Sequence, residues 1–146
     1  MTPYRVVLDT NQIVAAGSRW LDGTGVIGTG NISRVILIRV ACTHTGLYSD
    51  KIVGEYLEKL VNKRHNPERI LKLISLIMGA FDVVYIQTQV APARPRDPDD
   101  EAFLLCAIDG DADYLVSDDR DLLDLATHYT RPTIAASTAA VTALGA

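Results

Sequence analysis

The sequence predicts an α/β fold in which helices flank a central parallel β-sheet. Short apolar runs such as Val6–Leu8 and Tyr114–Val116 alternate with longer amphipathic stretches, the pattern of parallel strands joined by helices. Polar residues follow several of these runs directly, at the strand ends where parallel sheets bind ligands. The length of 146 residues suits one domain, and we expect residues 1–146 to form it.

Five short apolar runs are the predicted strands. Each is shorter than a helix, and turn residues or amphipathic stretches separate it from the next. In chain order they are residues 6–8, 47–49, 82–86, 114–116 and 133–135, the last being a strand or an extended segment.

Longer amphipathic stretches predict helices between these strands. Ser49 or Asp50 caps a helix whose apolar residues recur at helical spacing. Pro67 stands at the first position of the next helix, which ends near Gly79. Pro98 opens another helix after a proline-rich connector. The predicted helices cover residues 32–41, 50–63, 67–79, 98–108 and 122–126, with a small alanine-rich helix at the C-terminus.

Charge is divided unevenly along the chain. Residues 1–91 carry ten Lys and Arg against seven Asp and Glu, whereas residues 92–146 carry four against eleven. The net charge of −4 therefore combines +3 in the first segment with −7 in the second. All eleven acids of the second segment lie between Asp97 and Asp124, which indicates a local need for carboxylates.

The targeting and cysteine patterns predict a cytoplasmic protein. No apolar run approaches the ~20 residues that a membrane span requires, so we expect no membrane partner. The apolar part of the N-terminus is too short for a signal peptide. Cys42 and Cys106 make no disulfide framework, which predicts a reducing compartment.

Acidic side chains follow the predicted strands or begin the predicted helices. Asp9 follows the first strand, Asp119 follows the fourth, Asp100 lies at a helix start, and Glu55 lies one turn into its helix. Two carboxylates about 4 Å apart repel by ~4 kcal/mol at an effective dielectric constant of about 20. No Lys or Arg stands at each of these ends to neutralise them, so we expect a hard divalent cation, Mg²⁺ or Mn²⁺.

Four motifs, in this order along the chain, resemble the PIN-domain family and most of all its toxin-like members, the VapC-type ribonucleases. The motifs are Val7-Leu8-Asp9-Thr10-Asn11, the segment from Ser49 to Leu57, Asp97-Pro98-Asp99-Asp100 with Ala107, and Ser117-Asp118-Asp119-Arg120-Asp121. The resemblance covers nearly the whole chain. It implies a PIN-like three-layer sandwich and a metal-dependent endoribonuclease that hydrolyses RNA phosphodiester bonds.

The resemblance also implies which residues form the site. Its four catalytic and metal-binding acids match Asp9, Glu55, Asp100 and Asp119. Asp118 stands where the family more often has a small residue, and it is the alternative to Asp119 as the fourth acid. Three further residues are expected to orient carboxylates or assist them: Asn11, Ser117 and Asp121.

The expected partners are RNA, an antitoxin protein and a second copy of the chain. The antitoxin and the homodimer are implied by the resemblance alone. For RNA the sequence adds a basic helix end, where Lys63 and Arg64 are candidates for phosphate contacts. Two alternatives stay open: a PIN nuclease that processes RNA without being a toxin, and a non-catalytic binding or scaffold protein that keeps the fold.

Two other patterns favour no separate site. Gly23-Thr24-Gly25-Val26-Ile27-Gly28 matches the dinucleotide-binding pattern, but no apolar strand leads into it. We therefore interpret residues 17–31 as a flexible glycine-rich insertion, a lid or a partner-contact loop. Cys42 and His44 lack a second Cys/His pair for zinc, so we expect a helix-end thiol and a surface histidine.

Overall fold

The fold is built on a five-stranded parallel sheet. A computed structural model describes residues 3–18 and 31–145 of the chain. The strand order is β3-β2-β1-β4-β5, and each neighbouring pair is parallel. Within these residues the strands are β1 (Arg5–Leu8), β2 (Thr45–Tyr48), β3 (Asp82–Val83), β4 (Tyr114–Val116) and β5 (Thr133–Ala135).

Helices connect the strands and cover the sheet. In the described ranges they are α1 (Thr10–Gly17), α2 (Ile32–Thr43), α3 (Asp50–Asn62), α4 (Pro67–Ala80), α5 (Glu101–Asp109), α6 (Arg120–Leu123) and α7 (Ser137–Ala143). Helix α5 packs on β1, β2 and β4, whereas α2 and α4 pack on β2 and α7 packs on β4. The predicted α/β sandwich with a central parallel sheet flanked by helices is therefore confirmed.

Side-chain caps explain where the helices begin. Ser49, not Asp50, caps α3, because its hydroxyl accepts a hydrogen bond from the backbone N–H of Ile52 (3.3 Å). Asn66 caps α4 in the same way, and Pro67 is the first residue of that helix, as predicted. None of the helices in residues 3–18 and 31–145 is long and apolar enough to cross a membrane.

The predicted start of the insertion between β1 and α2, at residue 17, is wrong. Helix α1 follows β1 directly and was not predicted, and it includes Gly17, with Ser18 as its C-cap. The insertion predicted at residues 17–31 therefore cannot begin before residue 19. Residues 19–30, which contain the glycine pattern at 23–28, lie outside the described residues. Asn31 already caps α2.

Three other local predictions differ from the structure. His44 is buried rather than exposed, because its ring accepts a hydrogen bond from the Tyr4 N–H (3.0 Å) and bonds the Leu144 carbonyl (2.9 Å). The third strand contains two residues, since only Asp82 and Val83 pair with β2. The helix predicted at 122–126 begins and ends earlier, at Arg120–Leu123, and a 3₁₀ turn follows it.

The strand order places a crevice beside β1. The chain moves outward from β1 to β2 and β3, and then returns to add β4 and β5 on the other side. Connections leave the carboxyl ends of β1 and β4 in opposite directions, which opens a crevice where parallel sheets bind ligands. Asp9 follows β1, and residues 117–119 follow β4, so the first and fourth motifs meet there.

Candidate active site

A cleft of about 270 Å³ lies at this carboxyl edge of the sheet. We call it the acidic cleft, because seven of its lining residues are acids: Asp9, Glu55, Glu58, Asp97, Asp99, Asp100 and Asp119. The remaining lining residues are Thr10, Asn11, Lys59, Asn62 and Phe103. All four acids implied by the resemblance therefore open into one cleft.

Asp9 lies at the base of the acidic cleft and is almost fully buried. It caps α1, with one carboxylate oxygen accepting the Gln12 N–H (3.1 Å) and the other accepting the hydroxyl of Ser117. Burial is the main cause that raises the pKa of Asp9 to about 6. The two hydrogen bonds lower this pKa, and the neighbouring charge of Asp119 raises it.

The loop after β4 presents Asp119 to the acidic cleft. Its N–H donates to the Ser117 hydroxyl (3.0 Å), and its carboxylate caps α6 by accepting the N–H of Asp121 (2.9 Å). Ser117 therefore holds Asp9 through its proton and the Asp119 backbone through its oxygen. This buried hydroxyl does not line the cleft but connects two of its acids.

Asp118 is turned away from the acidic cleft, although it is adjacent to Asp119. One oxygen accepts the Ser137 N–H (2.8 Å), and the other accepts the Ser137 hydroxyl (2.7 Å) and the Gln12 amide (3.0 Å). Burial raises its pKa, but these hydrogen bonds outweigh burial and hold the pKa below the ordinary value. Of the two alternatives, only Asp119 lines the cleft.

Asp100 brings the start of α5 to the same place. A 3₁₀ turn over Pro98–Asp100, capped by the side chain of Asp97, leads into the helix. Carboxylate oxygens of Asp100, Asp119 and Asp121 lie within 4.8 Å of one another. Burial, followed by the charge of Asp119, raises the pKa of Asp100 to about 7.

Glu55 enters the acidic cleft from α3. The next residue, Tyr56, is fully buried and donates its hydroxyl to the Leu8 carbonyl at the end of β1, which anchors this turn of the helix. Burial and then the charge of Asp99 raise the pKa of Glu55 to about 7, whereas the charge of Lys51 lowers it.

The predicted accessory residues take three different positions. Asn11 lines the acidic cleft, and Ser117 lies buried beneath Asp9. Asp121 belongs to the tight group of carboxylates with Asp100 and Asp119. Asp9 and Glu55 line the acidic cleft and do not belong to that group, whereas Asp121 belongs to the group and is not among the residues that line the cleft.

The basic residues at the end of α3 lie beyond the acidic cleft. Lys63 and Arg64 are exposed and do not line it. Arg64 has a φ of 58°, and the N–H groups of Arg64 and His65 bond the carbonyls of Val61 (2.9 Å) and Leu60 (3.1 Å). This is the Schellman ending of a helix, which explains how the chain turns here.

Lys59, one turn before Lys63, does line the acidic cleft. The sequence-based prediction selected Lys63 and Arg64 as the phosphate contacts of this helix end and did not select Lys59. Its spacing of four residues from Glu55 was the available signal, since residues four apart share a helix face.

The connector between β3 and α5, residues 84–97, is anchored at both ends by hydrogen bonds that were not predicted from the sequence. At one end the carboxylate of Asp109 accepts the N–H of Gln87 (2.6 Å). At the other end Glu101 accepts the Ala91 N–H (3.0 Å) and both donors of Arg94 (2.9 and 3.0 Å). These bonds hold the pKa of Glu101 below its ordinary value. They secure the chain that delivers residues 97–100 to the cleft.

The donor set suits a hard divalent ion. Three carboxylate oxygens within 4.8 Å of one another repel unless a proton or a cation lies between them. All are hard oxygen ligands, the type that Mg²⁺ and Mn²⁺ prefer. The lining of the acidic cleft contains no His or Cys among the described residues, so a zinc-type site is disfavoured.

Comparisons with known proteins agree with this architecture. No curated protein matches the chain. The fold is similar to a chain in the crystal structure of VapBC2 from Rickettsia felis bound to a DNA fragment from their promoter. The TM-score is 0.55 and the identity 14%, over 90% of this chain and 98% of that chain. At this identity the likeness shows a shared fold.

The sequence itself matches a protein family. The family model of the PIN domain matches residues 5–121, more than half of the chain. That span runs from β1 to the beginning of α6 and includes Asp9, Glu55, Asp100 and Asp119. The chain therefore belongs to the PIN domain family, a family of nucleases.

Proposed function

We propose that this chain is a Mg²⁺- or Mn²⁺-dependent endoribonuclease that acts as the toxin of a toxin–antitoxin pair. The observation that carries the proposal is the set of carboxylates that line the acidic cleft of a PIN domain, two of which, Asp100 and Asp119, have oxygens within 4.8 Å of each other and of an oxygen of Asp121. We propose that residues 1–146 form this single catalytic domain.

The acids of the cleft have distinct proposed roles. Asp100 and Asp119 would hold the ion, together with Asp9, Glu55 or Asp121. Such an ion supplies charge neutralisation at the phosphate and acidifies water when it is bound. The protein's own contribution is orientation, because Ser117 and the Gln12 N–H fix both oxygens of Asp9 before any ligand arrives.

The position of Lys59 supports the proposal that the substrate is a polyanion. It is the basic residue among the described residues that line the acidic cleft, which it lines together with seven acids. Asn11 and Asn62 line the same cleft and offer neutral hydrogen-bond donors. We propose that Lys59 binds a phosphate next to the cleaved bond, and that Lys63 and Arg64 bind phosphates further along the RNA.

Substitutions in α3 and directly after it test whether Lys59 acts separately from Lys63 and Arg64. Lys59→Gln is expected to lower kcat and to reduce the salt dependence of RNA binding by about one phosphate contact. Lys63→Gln combined with Arg64→Gly is expected to leave kcat unchanged and reduce that slope by about two. Glycine suits the positive φ at position 64, so the fold is retained.

Binding isotherms at four salt concentrations and single-turnover cleavage measure both effects. An unchanged salt slope in the Lys63/Arg64 variant would exclude these two residues from the RNA interface.

The toxin assignment rests on the similar fold of the VapBC2 structure. We propose a small antitoxin protein as the partner and a homodimer as the active form. Exposed apolar side chains on α3 and α4 support contacts with other chains: Leu57, Val61, Leu71 and Met78. We also propose that the protein acts in the cytoplasm. The free thiols of Cys42 and Cys106 support this proposal, because thiols persist in a reducing compartment.

Incubation of the purified protein with structured and single-stranded RNA tests the proposed function. Cleavage is expected with Mn²⁺ or Mg²⁺ and not with EDTA. When the protein encoded beside this gene is added, we expect it to bind the chain and to inhibit cleavage. Cleavage without such an inhibitor would favour an RNA-processing nuclease. Absence of both cleavage and metal binding would favour the scaffold protein.

A further inference from the structure

A polar network lies behind the acidic cleft and joins four parts of the fold. Gln12 of α1 is 2% exposed, and its amide donates to an oxygen of Asp118 (3.0 Å). The amide oxygen of Gln12 accepts the hydroxyl of Ser33 in α2 (2.9 Å). Asp118 continues the network to Ser137, the first residue of α7. None of these four residues lines the cleft.

Gln12 contacts both strand ends that carry the acids. Its backbone N–H bonds Asp9 (3.1 Å), and its side chain bonds Asp118, the residue before Asp119. One residue therefore ties the segment after β1 to the segment after β4. Two further bonds join the same segments directly: the Ser117 hydroxyl donates to Asp9, and the backbone N–H of Asp9 donates to the Val116 carbonyl (3.1 Å).

Charge repulsion opposes the close approach of these two segments. The charge of Asp119 acts against ionisation of Asp9, so the two segments repel when both carboxylates are ionised. Mg²⁺ tolerates little deviation from octahedral geometry, and loss of an outer hydrogen bond to a metal ligand costs about 10–100-fold in affinity.

We infer that Gln12 and Asp118 are positioning residues, which set the separation of Asp9 and Asp119 and thereby the affinity of the acidic cleft for a divalent ion. This inference rests on the proposed function, because it assumes that the cleft binds such an ion. It adds a role for two residues that touch neither metal nor substrate.

Mn²⁺ binding measured by calorimetry on the whole chain tests the inference without any activity assay. Gln12→Leu keeps a side chain of similar volume and removes the amide bond to Asp118, whereas the backbone N–H bond to Asp9 remains. The lost bond acts on the neighbour of Asp119, so we expect Mn²⁺ binding to weaken by about tenfold, the lower end of the range for bonds made directly to a ligand. The matched control is His44→Leu. His44 is buried and also makes two hydrogen bonds, but it lies at the opposite edge of the sheet. This variant is expected to lower Tm and leave the Mn²⁺ affinity unchanged.

A second pair of variants separates hydrogen bonding from charge. Asp118→Asn and Asp118→Ala remove the same charge. The Asn amide can donate to the Ser137 hydroxyl and, after the Gln12 amide reverses, to Gln12 as well, with Ser33 then accepting from Gln12. We expect Asp118→Asn to bind Mn²⁺ about tenfold more tightly than Asp118→Ala. This comparison also serves if Gln12→Leu does not fold.

The outcomes distinguish this inference from the proposed function. Wild-type affinity in Gln12→Leu, or equal affinities in the two Asp118 variants, would overturn the positioning role and leave the metal site intact. Equal weakening in His44→Leu would show an effect of stability alone and overturn it too. Absence of Mn²⁺ binding by the wild-type chain would overturn the proposed metal site and the inference together.

Discussion

Asp100→Asn is expected to abolish metal-dependent RNA cleavage while the fold is retained. Asp100 contributes an oxygen to the group shared with Asp119 and Asp121, and the neutral amide leaves that group with one carboxylate fewer. Mutation of a residue that hydrogen-bonds a metal ligand already lowers metal affinity or activity about 10–100-fold. Removal of a ligand itself is therefore expected to lower activity at least about 100-fold. Gel analysis of RNA incubated with Mn²⁺ measures this effect.

The matched control for this substitution is Asp82→Asn. It makes the same chemical change at an exposed residue of β3 that does not line the acidic cleft. Cleavage by this variant is expected to equal that of the wild type. Circular dichroism checks that both variants are folded. Full activity of Asp100→Asn would refute the assignment of the site.

The stability of the metal-free protein is expected to fall as the pH rises from 5 to 8. The pKa values of Asp9, Glu55 and Asp100 rise from 3.8, 4.5 and 3.8 to about 6, about 7 and about 7 on folding. Between these limits the three carboxyl groups bind more protons in the folded chain than in the unfolded chain, so they make the free energy of unfolding decrease with pH. Burial lowers the pKa of His65, which opposes this trend at the acid end of the range as one group against three. The penalty is small below pH ~4 and complete above pH ~8.

Mn²⁺ is expected to reverse this loss, and to do so more strongly at pH 8 than at pH 5. Protons compete with the ion for the same carboxylates, so binding strengthens as the acids ionise. An ion at 100 times its Kd adds about 2.7 kcal/mol of stability. For a chain of this length that corresponds to roughly 10 °C in Tm.

Thermal melts in EDTA and in Mn²⁺ at both pH values measure the two effects. Asp118 and Glu101, whose pKa values are held low, stay ionised throughout this range and do not obscure the trend. Asp100→Asn is expected to show a weaker pH dependence in EDTA and a smaller Mn²⁺ shift. A Tm that neither falls with pH nor responds to Mn²⁺ would contradict a site of crowded carboxylates.

Much of the architecture is determined locally, which explains why sequence analysis found it. The apolar run before Asp9 is buried on both faces in any parallel sheet, and its composition shows this without knowledge of its neighbours. Caps such as Ser49 act on an N–H three residues away, so they are visible in the sequence. Helix α1 was not predicted because it has only eight residues and because it ends in Gly17 followed by Ser18.

The assembly of the acidic cleft follows partly from the same local rules. Residues at the carboxyl ends of neighbouring parallel strands must meet, so an acid after β1 and an acid after β4 share a crevice once the strand order is known. Asp9 and Asp119 were accordingly predicted at strand ends and Asp100 at a helix start, the positions from which such a crevice is lined. The protein family, which the match to residues 5–121 shows, follows from the same ordered motifs.

The direction of individual side chains depended on tertiary structure. Asp118 and Asp119 are chemically identical neighbours, and only contacts with Gln12 and Ser137, 106 and 19 residues away, turn the first one out of the cleft. His44 was predicted at the surface, yet partners 40 and 100 residues away bury it.

Residue types, spacing and order thus determined the fold class, the family and the set of acids at the sheet edge. Only the tertiary structure decided that Asp119 rather than Asp118 lines the acidic cleft, and that Lys59 rather than Lys63 does so. It also decided that Asp121 lies close to Asp100 and Asp119. The physical reason is range. Periodicity and capping act over a few residues of chain, whereas hydrogen bonds to loop side chains and the burial of single polar groups depend on segments that meet only when the chain has folded.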